Sequence, residues 1–131
     1  MDATYLNLDN PMKLQILKEP EETFIIKNKP TTITCVVANA LHVFIECNNE
    51  PLKELRHDKI TFVEPEKGIR ITEAKANVTR KDVESYFGDF HCNCLAWSSQ
   101  EKVRSRKINV HIACKFPKNT ICIFNLRNSV S

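Results

Sequence analysis

Glycine is scarce in this chain, which has only two glycines in 131 residues. Phosphate-binding loops and dinucleotide-binding turns need several closely spaced glycines, because the backbone must approach the ligand closely. The sequence therefore excludes the common nucleotide-binding motifs. The net charge is only +3, so the overall composition gives no support for nucleic-acid binding.

Long apolar runs are absent as well. The opening segment "MDATYLNLDNPMKLQILKEPEE" lacks the apolar core of about 7–15 residues that a secretory signal peptide needs. No stretch reaches the roughly 18 apolar residues of a membrane span. The sequence therefore predicts neither a signal peptide nor a membrane span within this chain.

Motifs that would carry catalytic chemistry are missing too. The sequence contains no C-x-x-C redox motif, and no serine or cysteine nucleophile has a recognisable base beside it. His42, His57 and His111 are scattered, with no carboxylate or cysteine arrangement around them. We therefore expect no enzymatic activity and no cofactor.

Cysteine, by contrast, is abundant. The six residues are Cys35, Cys47, Cys92, Cys94, Cys114 and Cys122. This usage in a small domain indicates disulfides and an oxidising compartment. Because no signal peptide is visible, the chain is either cytosolic or a fragment or alternative product of a larger secreted or membrane protein. We favour the fragment, located outside the cell or at its surface.

The chain has the pattern of short β-strands separated by turn residues. Runs such as "TTITCVVANA" and "LHVFIEC" are rich in β-branched residues and alternate in polarity. About seven or eight runs recur at intervals of roughly 8–12 residues, which is typical of an all-β sandwich. A change of parity between Val103 and Ile108 predicts a bulge or bend in the last strand. We place the domain at residues 21–113, after a lead-in at 1–20 and before a divergent tail at 114–131.

One segment, "VTRKDVESYFG", departs from the strand pattern. Thr79 and Asp82 resemble a capping box at the start of a helix. Val83 and Phe87 repeat at i, i+4, and Gly88 suits a helix end. The sequence therefore predicts one or two helical turns just before the penultimate strand.

Four cysteines fit an immunoglobulin-like sandwich. In that fold a bridge joins strands B and F, a strand C tryptophan packs against it, and a tyrosine lies two residues before the second cysteine. Cys35 is placed for strand B, and "CLAWS" from Cys94 matches the usual exit of strand F. Cys47 stands at the tryptophan position and Cys92 at the tyrosine position. Strands C and F are neighbours and Cys92 faces the same way as Cys94, so a second bridge, Cys47–Cys92, is geometrically reasonable.

A metal site is the alternative interpretation of the same cysteines. The residues that could be drawn as a zinc set are Cys47, His91, Cys92 and Cys94. Structural zinc sites usually use cysteines two to four residues apart, whereas C-x-C on a strand points both sulfurs along one face and His91 along the other. We favour two disulfides over zinc or a catalytic thiol.

Four segments carry a more specific resemblance. In order they are "IIKNKPTTITC", "VFIECNNEPL", "ANVTRKDVESYFG" and "FHCNCLAWSS". Together they resemble the first immunoglobulin domain of netrin receptors of the uncoordinated-five family, over roughly residues 19–114. The paired cysteines with the displaced Cys47 are the most specific part. The sequence departs from the family where Phe90 and His91 replace the usual Tyr-Trp, and after Ala113.

The resemblance implies nested bridges, Cys35–Cys94 and Cys47–Cys92, in the ectodomain of a membrane receptor. Family members act in repulsive axon guidance, and their immunoglobulin region binds netrin, leucine-rich adhesion proteins and heparan sulfate. We therefore expect an extracellular ligand-recognition domain with partners of these classes. The alternative is a secreted adhesion or decoy protein that sequesters ligand without signalling.

Two surface features near strand ends are candidates for function. Asn77, in "NVT", is the only N-glycosylation sequon. Trp97 could be an interface aromatic, although we prefer the interpretation that it covers the end of the sheet.

A row of basic residues is the third candidate. Lys102, Arg104 and Arg106 alternate on the last strand, and Lys107 extends the row past the predicted bend. We call these four residues the basic row. The row either keeps the surface soluble or binds a sulfated glycosaminoglycan or an acidic loop of a partner.

Overall fold

The computed structural model describes residues 12–53 and 56–113, which form two β-sheets packed face to face. The strands in chain order are β1 (Gln15–Lys18), β2 (Thr23–Ile25), β3 (Thr31–Ala38), β4 (His42–Cys47), β5 (Glu50–Pro51), β6 (His57–Val63), β7 (Arg70–Val78), β8 (His91–Trp97), β9 (Lys102–Arg104) and β10 (Ile108–Ile112). One short helix, α1 (Arg80–Glu84), precedes β8. These elements and the two disulfides confirm the predicted all-β sandwich with a helical turn before strand F.

The first sheet has the strand order β1-β3-β7-β6, and the second has the order β2-β10-β8-β4-β5. Strand β9 also pairs with β8, next to the place where β10 pairs with it. The chain leaves β9 at Arg104 and enters β10 at Ile108, which confirms the predicted bend. Ser105 anchors the bend, since its hydroxyl accepts a hydrogen bond from the Cys94 N–H at 2.7 Å.

The main core lies between the two sheets and follows from the alternation of side chains. In β3 the inward residues Ile33, Cys35 and Val37 are at most 1% exposed. The facing residues of the second sheet are also buried: Val43, Ile45 and Cys47 of β4, Cys92, Cys94 and Ala96 of β8, and Ile108, Val110 and Ile112 of β10. The alternation seen in the runs "TTITCVVANA" and "LHVFIEC" thus corresponds to the inward and outward faces of β3 and β4.

A smaller apolar cluster lies on the outer face of the first sheet. Val36 alternates with the inward Cys35 and Val37, so its side chain points away from the main core. The members of this outer cluster are Leu17, Val36, Ala38, Ile69 and Ile71. The first sheet is therefore apolar on parts of both faces.

Strand β1 lies inside the segment that the sequence assigned to a lead-in. It pairs with β3, with Ile16 opposite Val37. Leu14 is buried in the main core and Leu17 in the outer cluster. The strand has only four residues, too few for its alternation to stand out in a polar context.

The helix begins as predicted but ends earlier. The Thr79 hydroxyl accepts a hydrogen bond from the Asp82 N–H, and the Asp82 carboxylate accepts one from the Thr79 N–H, so the capping box is present. The helix ends at Glu84, and Val83 is its buried residue. Phe87 has a φ of 59° and is 64% exposed, so it does not continue the apolar face begun by Val83.

Candidate ligand-binding face

Strand β8 carries both disulfides and fixes the second sheet. Cys92 lies directly opposite Cys47 of β4 and is bonded to it. Cys94 is bonded to Cys35 of the first sheet, with the two Cα atoms 6.2 Å apart. A disulfide sulfur is not the thiolate that zinc or a nucleophilic mechanism requires. Within residues 12–53 and 56–113, no group of three or more metal-ligating side chains is arranged to hold a metal ion.

Aromatic side chains cover one end of the solvent-facing side of the second sheet. The rings of Phe44 and Trp97 are stacked, with their centroids 5.5 Å apart. His42 lies on the other strand directly opposite Trp97, and the ring centroids are 5.2 Å apart. The Lys59 ammonium lies 4.0 Å from the centroid of the Phe44 ring. Trp97 therefore packs on its neighbours, as a residue covering the end of a sheet does.

A buried carboxylate lies next to this aromatic group, on the same outer face. The Glu46 side chain is only 7% exposed. Its Oε1 accepts hydrogen bonds from Asn93 Nδ2 at 2.8 Å and from Arg104 Nε at 3.2 Å. These two donors compensate the loss of water around the carboxylate. The contact also fixes the guanidinium of Arg104 over the sheet.

The structure places the basic row along β9 and the bend that follows it. Lys102 and Arg104 lie on β9, and Arg106 and Lys107 lie in the bend before β10. Arg106 Nε lies 3.4 Å from a carboxylate oxygen of Glu19. Lys107 Nζ donates to the side-chain oxygen of Asn49 at 2.9 Å.

Two of the four basic side chains thus have carboxylate partners in the folded chain. Arg104 contacts Glu46 and Arg106 contacts Glu19. Both arginines remain accessible, with side chains 54% and 72% exposed. Lys102 is exposed and lines a shallow depression beside Trp97. The two carboxylates therefore already offset part of the positive charge of the basic row.

The sequon lies on the other sheet. Asn77 is exposed on β7, and its Oδ1 accepts a hydrogen bond from the Thr32 hydroxyl at 3.0 Å. Thr79, the third residue of the sequon, is the N-cap of α1. The sequon and the basic row therefore lie on different sheets of the sandwich.

Asp82 connects the helix start to the segment before β6. Both of its oxygens accept hydrogen bonds from the Arg56 guanidinium. Burial acts to raise the pKa of Asp82, but these bonds, those with Thr79 and the charge of Arg56 outweigh it and hold the pKa below its usual value. The ion pair thus stabilises the ionised carboxylate in the folded chain.

The comparison with protein families decides the identity of this domain. Residues 9–110 match the family model described as the netrin receptor unc-5 N-terminal domain. The chain belongs to this family. The match begins before β1, in agreement with the pairing of β1 with β3.

Curated relatives and solved structures agree with this membership in the unc-5 family. Netrin receptor UNC5D of Rattus norvegicus and of Mus musculus are each 35% identical over 99 residues, covering 74% of this chain. The chain spans about 10% of the length of these relatives.

Solved structures show the same fold at low sequence identity. The structure "Rst D1-D2" is 13% identical to this chain, with a TM-score of 0.57. The match covers 76% of this chain and 47% of the Rst chain. The fourth constant immunoglobulin domain of nurse shark IgNAR is 17% identical to this chain, with a TM-score of 0.52. The match covers 74% of this chain and 93% of the IgNAR domain. The unc-5-type chain therefore has an immunoglobulin-like fold. No helix in the described part of the chain has the length and apolar character needed to cross a membrane.

Two features on the outer face of the second sheet were not predicted from the sequence. One is the stack of Phe44 on Trp97, and the other is the buried pair Glu46–Asn93. The alternation in "HVFIEC" does indicate that Phe44 and Glu46 point outward. Their partners Trp97 and Asn93 could be identified only from the register of β4 against β8.

Proposed function

We propose that this chain is an extracellular ligand-recognition domain of a netrin-receptor-like protein, acting in axon guidance by repulsive signalling. Its ligand is a netrin-like protein or an extracellular leucine-rich adhesion protein. The observation that carries the proposal is the match of residues 9–110 to the netrin receptor unc-5 N-terminal domain. The curated relatives are netrin receptors, which supports the first ligand class.

The domain acts by binding rather than by catalysis. Its four described cysteines are consumed in bridges that brace β8 against β4 and against the first sheet. Such bracing keeps the solvent-facing side chains of β4, β8 and β9 in fixed positions, and this reduces the entropy lost on binding. Signalling belongs to other parts of such a receptor, since this chain corresponds to about 10% of the relatives' length.

The proposed protein partner is tested by measuring binding to an immobilised netrin and to a leucine-rich adhesion ectodomain. We expect saturable binding to at least one of them by the oxidised chain, and none by the same chain after reduction and alkylation. Saturable binding with no response from the reduced chain supports the proposal. If the folded, oxidised chain binds neither protein, the proposed ligand classes are wrong.

We also propose that the basic row, Lys102, Arg104, Arg106 and Lys107, binds heparan sulfate or another sulfated glycosaminoglycan. A sulfated chain can contact the two exposed arginines, but it must compete there with Glu46 and Glu19. The two lysines face weaker competition in the contacts described, since Lys107 donates to a neutral amide oxygen. We therefore expect the lysines to contribute more than the arginines to polyanion binding.

Heparin affinity chromatography tests this site. Changing all four residues of the basic row to Ala should lower the NaCl concentration needed for elution. The sulfate groups of heparin bind basic side chains through ionic contacts, and salt screens these contacts. The matched control removes the same charge elsewhere, by Lys18→Ala, Lys67→Ala, Arg70→Ala and Lys75→Ala. If both variants elute at the same salt concentration, heparin senses only net charge and the row is not the site.

We propose that Asn77 carries an N-linked glycan when the protein is made in the secretory pathway. The residue is exposed on β7, and the surrounding outer face of the first sheet is open to solvent at this point. Protein secreted from animal cells should lose mass on treatment with an amidase that removes N-glycans. The Asn77→Gln variant should show no such loss. A wild-type chain of unmodified mass would contradict the assignment.

A further inference from the structure

Most exposed edges of the sandwich are protected against pairing with another strand. Natural β-proteins avoid edge-to-edge association by using short, irregular or proline-containing edge strands. Here β1 has four residues and a register shift between Ile16 and Lys18, and β5 consists of Glu50 and Pro51. Strands β2 and β9 have three residues each.

The edge strand β6 lacks these protections. It has seven residues and a continuous register with β7, from His57 opposite Ala76 to Val63 opposite Arg70. It contains no proline. Three of its apolar side chains are exposed: Ile60 at 55%, Phe62 at 44% and Val63 at 60%. The half of β6 from Ile60 to Val63 is therefore a regular, apolar edge suited to pairing with a further strand, whereas Asp58 and Lys59 give the other half charges of the kind that protect edges.

The apolar character continues from β6 onto the outer face of the first sheet. Phe62 lies directly opposite Ile71, a member of the outer cluster. The lysine of β6 does not interrupt this face, because the Lys59 ammonium lies over the Phe44 ring of the second sheet. Phe62 thus extends the apolar surface of the outer cluster to the edge, and Ile60 lies on the same face, whereas Val63 lies on the opposite face of the sheet.

The backbone of β6 also presents hydrogen-bonding groups at this edge. The Glu64 N–H donates to the Ile69 carbonyl of the neighbouring chain segment. Successive residues of an antiparallel strand point their backbone groups to opposite sides, so every second residue has the same orientation. The N–H and C=O groups of Phe62 and Ile60 therefore also point towards β7, like those of Glu64. The N–H and C=O of Thr61 therefore point to the opposite side, where no strand of the described residues pairs with β6.

We propose that β6 pairs with β6 of a second copy of this chain, antiparallel, about a two-fold axis at Thr61. This arrangement makes Thr61 face Thr61 of the second copy in a hydrogen-bonded pair. It makes Ile60 face Phe62 of the second copy, twice, on the apolar outer face. The two first sheets become one continuous sheet. The proposal goes beyond ligand recognition, because it uses the sheet opposite the basic row.

A second copy is the proposed partner because Ile60 and Phe62, the exposed apolar residues of the outer face, flank Thr61 and so face each other across the axis. Each Phe62 also lies opposite Ile71 of its own outer cluster, whereas each Ile60 lies opposite Glu73 of its own β7. At each end Asp58 faces Glu64 of the second copy, and these like charges weaken the contact. The interface is small, so the dimer is weak and concentration-dependent. It should strengthen when added salt screens the two carboxylate pairs.

A glycan at Asn77 does not block this surface. Asn77 is six residues along β7 from Ile71, a distance of about 20 Å in an extended strand. The sequon is also beyond the start of β6, whose first residue faces Ala76. The apolar centre of the pairing edge is therefore distant from the glycan, whereas its Asp58 end lies opposite Lys75, two residues from Asn77.

Sedimentation equilibrium of the oxidised chain over a wide concentration range tests the proposal. We expect a monomer–dimer equilibrium whose dimer fraction rises with salt. Thr61→Pro removes an N–H that points away from β7, so the monomer should fold, but both copies lose a bond at the axis. The dimer dissociation constant should rise about tenfold or more. The control Leu41→Lys, at an apolar residue 54% exposed elsewhere, should leave it unchanged.

A second variant and a second measurement guard against a folding defect in Thr61→Pro. Phe62→Lys keeps every backbone group and should also abolish the dimer. In hydrogen exchange, the Thr61 amide should become slower as concentration rises, while the Ile60 and Phe62 amides are protected throughout. A wild-type chain that stays monomeric at every concentration overturns the proposal. So does a dimer that is unaffected by both β6 variants.

Discussion

At the scale of single residues, Asp82 connects three parts of the molecule. Its carboxylate closes the capping box with Thr79 and accepts hydrogen bonds from Arg56, which precedes β6. Arg56 in turn donates to the backbone carbonyl of Asn77 at the end of β7. One ionised group therefore holds the start of α1, the end of β7 and the entry to β6 together.

We predict that Asp82→Asn destabilises the protein by about 1–2 kcal/mol at neutral pH, the range for losing a helix cap and a charged hydrogen bond. The pKa of Asp82 is lowered in the folded chain, so its contribution is complete above about pH 4, the range of an unfolded aspartate. The contribution is lost as the pH falls through the lower folded value. The stability difference from wild type should therefore shrink on acidification.

Urea unfolding at several pH values measures this difference. Glu84→Gln is the matched control, since Glu84 pairs with Arg80 on the surface four residues away. Such an exposed pair contributes only about 0.3–0.5 kcal/mol. An Asp82→Asn penalty that stays constant from neutral to acidic pH would show that ionisation of Asp82 is unimportant.

Single residues were predictable where alternation and spacing determine them. The inward positions of Cys35 and Cys47 and the capping box followed from the sequence. Phe87 did not, because the chain leaves the helix after Glu84 and Phe87 itself has a positive φ. The burial of Glu46 was also hidden, since it depends on Asn93 and Arg104 from distant parts of the chain.

At the scale of elements, β8 is the strand on which the second sheet depends. It pairs with β4, β9 and β10, and it carries two disulfides on one face. The bridge Cys47–Cys92 lies within the second sheet, whereas Cys35–Cys94 crosses the core. The two bridges therefore restrain different motions of the same strand.

We predict that replacing Cys47 and Cys92 together by Ala destabilises the oxidised protein by at most about 4 kcal/mol, the chain-entropy value for a loop of this size. The bridge spans 45 residues of sequence. Because Cys35–Cys94 is retained, the sandwich should still fold. Urea unfolding of the variant against wild type, both oxidised, measures the loss. A difference below about 0.5 kcal/mol would show that the second bridge is not a stabilising element.

The elements also show where sequence patterns fail. Longer strands such as β3 and β7 could be recognised from their β-branched residues and alternation. Strands β1, β2 and β5 have two to four residues, so their existence depends on pairing with neighbours rather than on local preference. For that reason the contribution of residues 15–18 to the sandwich was not predicted.

At the scale of the whole molecule, the two sheets have separate surface chemistry. The second sheet presents the aromatic stack, the buried Glu46 and the basic row. The first sheet presents the sequon and the apolar edge at β6. The proposed ligand recognition and the proposed pairing of two copies therefore use different sheets of the molecule. The sequence identified the sequon and the basic row as surface features, but their division between the two sheets required the fold.

Both cysteines of β8 are bonded to cysteines of other strands, so their role is to brace the sandwich. Alkylation of the native protein before and after reduction, with peptide mass analysis and metal analysis, tests it most directly. We predict no labelling of Cys35, Cys47, Cys92 and Cys94 before reduction, complete labelling afterwards, and no stoichiometric zinc. Free thiols at Cys92 and Cys94 together with bound zinc would contradict the account.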